Sequence, residues 1–237
     1  MKKICADLSS GLGGGLSAVL VYGSALGADY LHGRSNINLL LVIDDTGYEN
    51  LKSVRALCSP YRKHGIIAPL VLSPDHIETS RDVFSMEFLN ITEQYAVVMG
   101  EDPFKGMSID DSLLRLECEQ QLKGNLIRIR EVYLEGRGTA ADLKGLISGS
   151  VSSYVSLMKN LIRLKKTPVP PDAASVIETA SGLYAIKASP FKEALALKTG
   201  KGNPSFSELE GIFSSYLKEA AALAAAVDKL LPGGRKN

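Results

Sequence analysis

The chain contains no tryptophan, three histidines and three cysteines, and its charges nearly cancel at a net +1. Each scarcity excludes something. Cys5, Cys58 and Cys118 are odd in number, widely spaced and without a CxxC pair, so they form neither a disulfide framework nor a zinc site. They read as small buried hydrophobes in a protein of the reducing cytoplasm. His32, His64 and His76 are scattered through the first third, which argues against a metal cluster, and no histidine follows His76. No Cys–His or Ser–His–Asp constellation is visible. No apolar run approaches the ~18–20 residues of a membrane-spanning helix. Lys2 and Lys3 precede an apolar stretch, but Asp7 and the glycines 11, 13, 14 and 15 interrupt the place of an export signal. A balance of 27 basic and 26 acidic residues argues against a dedicated nucleic-acid binder.

What is present is an ordinary globular composition, 45% hydrophobic over 237 residues, enough for one large domain or two small ones. The chain changes character near residue 105. Before it, short apolar runs alternate with turn signals. Residues 17–22, 37–43 and 66–72 read as strands, 84–91 and 95–99 as weaker strands, and 50–57 as a helix. After Gly106 the pattern is helical. Helices are expected from Ser108 to Glu135, from a Thr139 cap toward Pro168, from Ala173 to Lys187 and from Phe206 to Leu231. The reading is an α+β chain, with a mixed α/β domain over 1–105 and an all-α bundle over 106–237. The first part carries 9 basic and 12 acidic side chains and the second 18 and 14. Lys159, Arg163, Lys165 and Lys166 supply much of the later excess, as a solvated helix face does.

One stretch carries chemical information. Val21-Tyr22-Gly23-Ser24 ends a strand in a Gly-Ser turn, and Gly33-Arg34-Ser35-Asn36-Ile37-Asn38 leads into the apolar run Leu39-Leu40-Leu41-Val42. Gly23 permits close backbone approach, and Ser24 offers a hydroxyl and an amide where a phosphate can sit. Asn36 and Asn38 are two apart and so share a strand face. Polar neighbours at the start of so apolar a run mark a site or a strand end.

This arrangement resembles the polymerase-beta-like nucleotidyltransferase superfamily, which includes the kanamycin nucleotidyltransferases. The family pattern is Gly-Ser after the first strand, about ten residues, then Ser-Asp-x-Asp and an apolar continuation. Gly23-Ser24, Ser35 and Leu39 to Val42 match it. The resemblance implies a nucleotidyltransferase-type sheet domain with a helical bundle beside it. It also implies Mg²⁺ held by two paired aspartates and a third acid on a later strand. Here the paired positions are Asn36 and Asn38, and residues 65–73 contain no acid. Mg²⁺ is bound through carboxylates and substrate phosphates, and two amides supply no charge. Three losses together read as a retired active site with no catalytic residue.

The expected function is therefore a nucleotide- or ligand-binding or regulatory module on a nucleotidyltransferase fold. It would need no cofactor, and Gly23, Ser24, Arg34 and Ser35 would contact the nucleotide. The alternative is an active transferase moving a nucleoside monophosphate from an NTP, with Mg²⁺, to a small-molecule or protein hydroxyl. Glu87, read on a neighbouring strand, is then the rescue acid, with Asp29 behind it. A homo-oligomer or protein partner through the helical part is a third expectation. Asp44 and Asp45, at the far end of the Asn strand, read as turn formers.

Overall fold

The computed structural model describes residues 1–26 and 36–230. Those residues form two compact units, with the division between Ile109 and Asp110.

The first unit is built on a four-stranded mixed sheet. Its strands are β1 (Leu16–Tyr22), β2 (Asn38–Ile43), β3 (Leu70–Leu72) and β4 (Tyr95–Gly100), in the order β3-β2-β1-β4. β1 pairs antiparallel with both β2 and β4, and β2 pairs parallel with β3. The helices are α1 (Lys2–Leu12), α2 (Tyr48–Cys58), α3 (Pro74–Thr79) and α4 (Ser85–Glu93). Alternate residues of the central strands enter different cores. Val19, Val21, Leu39, Leu41 and Ile43 pack with Ile4 and Leu8 of α1 and with Val54 and Cys58 of α2. Ala18, Leu20, Leu40 and Val42 pack with Ile77 of α3, Phe88 and Ile91 of α4, and Phe104. Covering on both faces is why β2 is apolar without alternation.

Two sequence expectations are corrected here. Residues 84–91 are not a strand. Ser85, Met86, Phe88 and Ile91 are the buried positions of helix α4, one face of a 3.6-residue period. Residues 2–12, read only as part of a rejected export signal, form α1, which buries Ile4, Cys5 and Leu8.

The second unit comprises α5 (Asp111–Glu135), α6 (Ala140–Leu164), α7 (Ala173–Tyr184), α8 (Ser189–Lys198) and α9 (Phe206–Asp228). Helix starts are written in side chains. Asp110 accepts from the Ser112 N–H, and Asp172 from the Ser175 N–H. Thr139 with Asp142, and Ser205 with Glu208, form reciprocal capping boxes. Tyr154, Phe191 and Tyr216 meet in tilted and edge-to-face contacts at the centre, with ring centroids 5.1–5.6 Å apart. Arg115, Glu119, Lys123 and Asp228 link α5 to α9 through contacts of 2.5–2.9 Å. The helix expected from 173 to 187 ends early. Ala185 adopts a left-handed conformation at φ 54° and Pro190 opens α8, a helix the sequence reading did not separate. Among the described residues no helix is long and apolar enough to cross a membrane.

Candidate functional site

β1 delivers Tyr22 to the end of the sheet, directly across from Asn38 on one side and Tyr95 on the other. The chain then turns at Gly23, whose φ of +78° lies where side-chain-bearing residues are strained. Its N–H donates to the Gln94 carbonyl at 2.8 Å, tying the turn to the entry of β4. A Cβ on Gly23 would lie 3.1 Å from Nδ2 of Asn38, so the amide sits against the bare glycine. Gly23 thus meets two demands that its neighbours impose, a positive φ and a close side chain.

The return strand is pinned before it starts. The Ile37 N–H donates to the Gly65 carbonyl at 2.8 Å, and the Ile67 N–H donates to the Ile37 carbonyl at 3.3 Å. This bridge to Ile66 holds the segment extended ahead of β2. Asn36 precedes the strand and is exposed, whereas Asn38 is its first residue and half-buried. Arg34 and Ser35 lie outside the described residues, as do Asp29, His32 and the side chain of Ser24.

Glu87 is an exposed residue of α4, not a strand residue as the sequence suggested. Its charge nonetheless reaches the end of β1. Burial raises the Tyr22 pKa, and the negative charge of Glu87 raises it further. The carboxylate of Glu87 and the end of β1 therefore share one electrostatic neighbourhood. Tyr95 donates from its hydroxyl to Asp102 Oδ2 at 2.8 Å. Burial and this hydrogen bond both raise the Tyr95 pKa. Neither Tyr22 nor Tyr95 was singled out from the sequence. The available signal was position alone, since Tyr22 is the residue before Gly23.

Asp44 and Asp45 stand at the opposite end of β2, building the turn into α2. Asp44 Oδ1 accepts from the Ser17 hydroxyl at 2.9 Å, and Asp45 Oδ1 accepts from the Gly47 N–H at 2.8 Å.

The described residues around this turn do not fit a divalent metal. Asn36 and Asn38 are neutral, and the segment containing β3 has no acid. Among the described residues no three His, Cys, Asp or Glu side chains converge. A hard dication demands anionic oxygens, and a pair of amide carbonyls does not offset the loss of its water shell.

The α+β architecture, a small mixed sheet followed by helices, is shared with a protein of known structure. The chain is similar to spectinomycin adenyltransferase AAD(9) from Enterococcus faecialis, whose crystal structure was determined with ATP and spectinomycin. The TM-score is 0.57 and the identity 10%, over 96% of this chain and 98% of that one. No family model matches the sequence, and no curated protein matches it.

Proposed function

We propose that the first unit is a nucleotide-phosphate-binding module that operates without a divalent cation, in a ligand-binding or regulatory role. The observation that carries this reading is the Asn38 amide beside Gly23, 3.1 Å from the position of the absent Cβ. A carboxylate there would require a metal to meet a phosphate. An amide N–H donates to a phosphate oxygen directly. Gly23 leaves room for that oxygen, Ser24 adds a donor, and Arg34 and Ser35 supply charge and a hydroxyl. The similarity to an adenyltransferase solved with ATP makes a nucleoside triphosphate the first ligand to try.

Calorimetry with ATP, in EDTA and then in Mg²⁺, tests the proposal. Affinities in the two media should agree within about threefold, or about 0.7 kcal/mol. Binding that appears only with Mg²⁺ overturns it.

A second reading has one observation behind it, the electrostatic reach of Glu87 to Tyr22. In that reading Glu87 serves an active transfer of a nucleoside monophosphate to a hydroxyl. Incubation with labelled ATP, Mg²⁺ or Mn²⁺ and a panel of hydroxyl compounds tests it. Labelled product that disappears in Glu87→Ala would establish transfer and displace the binding-only reading.

A further inference from the structure

Among the described residues β3 ends the sheet, with β2 on one side and no strand on the other. Beside that edge, on the α2 face, runs an open groove of about 250 Å³. Leu51, Val54 and Arg55 of α2 line one wall, Arg62 follows from the next turn, and Ile67 and Val71 line the strand side. Leu51 and Ile67 are 42% and 41% exposed, large for aliphatic side chains this close together. The surrounding sequence is charged in one sense only. Residues 50–73 contain Lys52, Arg55, Arg62 and Lys63 and no acid, within a unit whose overall balance is acidic. Lys52 is paired with Glu49 at 3.0 Å. Arg55 and Arg62 carry no ion pair among the described residues.

We infer that this groove is a docking site for an extended acidic segment of a partner protein, laid along the outer edge of β3. An extended chain sends alternate side chains to opposite faces, so its apolar residues can enter the groove while its carboxylates meet Arg55 and Arg62. Charge complementarity selects the partner, because guanidinium groups pair with carboxylates in bidentate geometry. The lining favours a peptide over a nucleic acid. It contains no aromatic ring on which a base could stack. β3 is only three residues long and Pro69 removes one donor from the segment. Main-chain pairing alone would therefore be weak, which keeps the edge from recruiting strands without the matching charge.

The probe is a fluorescein-labelled peptide of alternating valine and glutamate, about six residues long as strands commonly are. Its polarisation is titrated with the full chain, in the absence of nucleotide. The peptide should bind, and its valine–lysine counterpart should not. Arg55→Glu/Arg62→Glu should weaken binding at least about tenfold, and so should the separate variant Ile67→Glu, which changes an exposed position. Hydrogen exchange should slow at residues 66–72 on adding the peptide. No binding by about 1 mM, or binding indifferent to all of these substitutions, overturns the inference. Displacement of the peptide by a single-stranded oligonucleotide would also overturn it, as would self-association through this groove that the arginine substitutions abolish. The outcome is independent of whether ATP binds near Gly23.

Discussion

Tyr22 and Asn38 are the last cross-strand pair of β1 and β2, and the Asn38 amide reaches past that pair to cover Gly23. A methyl group at position 23 would meet a strained backbone and a side chain 3.1 Å away at once. Gly23→Ala should cost about 1–2 kcal/mol, the usual penalty of a left-handed alanine. It should also weaken ATP binding. Thermal melts and calorimetry on one preparation measure both effects, and unchanged affinity would separate the turn from the ligand.

Restoring charge is the complementary experiment. Asn36→Asp with Asn38→Asp places two carboxylates at the positions where the family resemblance puts a metal-binding pair. Water-proton relaxation in Mn²⁺ should reveal an ion that the unaltered chain does not hold. Absence of a difference would mean that the two side chains do not converge.

Gly100 should be the less tolerant glycine. Its φ is +83°, and a Cβ there would lie 2.0 Å from the Ser17 carbonyl, where the β1–β2 register shifts. Backbone cannot yield as a side chain can. Gly100→Ala should lower the denaturation midpoint by clearly more than Gly23→Ala, or prevent folding. Equal effects would argue against so close a crossing of β1 and β4.

Two tyrosines in the bundle should respond in opposite directions. The Tyr216 hydroxyl lies 3.0 Å from the Ser150 hydroxyl, whereas the buried Tyr154 hydroxyl has no hydrogen-bond partner among the described residues. A buried polar atom without a partner is costly, and a bonded one contributes about 1 kcal/mol. Tyr154→Phe should leave stability unchanged or raise it, and Tyr216→Phe should lower it by about 1 kcal/mol. Urea titrations give both values.

Acid should loosen the helix starts. Hydrogen bonds from Thr139 hold the Asp142 carboxyl below its ordinary pKa, and those from Ser205 do the same for Glu208. A lowered folded-state pKa contributes stability above the unfolded value, near 4, and the contribution disappears as pH falls through the lowered value. The urea midpoint should drop as pH falls below about 4. In Asp142→Asn/Glu208→Gln the midpoint at neutral pH should be lower and the acid slope shallower. An unchanged slope would mean that other carboxylates dominate acid unfolding.

The sequence disclosed the elements whose signals are local. Thr139 announces a helix start, and the glycine after Tyr22 announces a turn. It misled where short apolar runs are ambiguous between periods. Phe84 to Ile91 suits a strand by composition, and only the packing of Phe88 and Ile91 under the sheet shows the helix. The break after α7 was hidden because Ala185, rather than glycine, takes the left-handed conformation. The amides at Asn36 and Asn38 were visible at once, being a matter of residue type. The approach of Glu87 to Tyr22 was not, because it depends on which side of the sheet α4 covers.

The boundary at Ile109 and Asp110 is crossed by the chain once, and each element lies wholly to one side of it. Among the described residues no strand of the sheet comes from the later sequence and no helix of the second unit from the earlier. A gene with that layout can be cut at a single joint without dividing any described strand or helix.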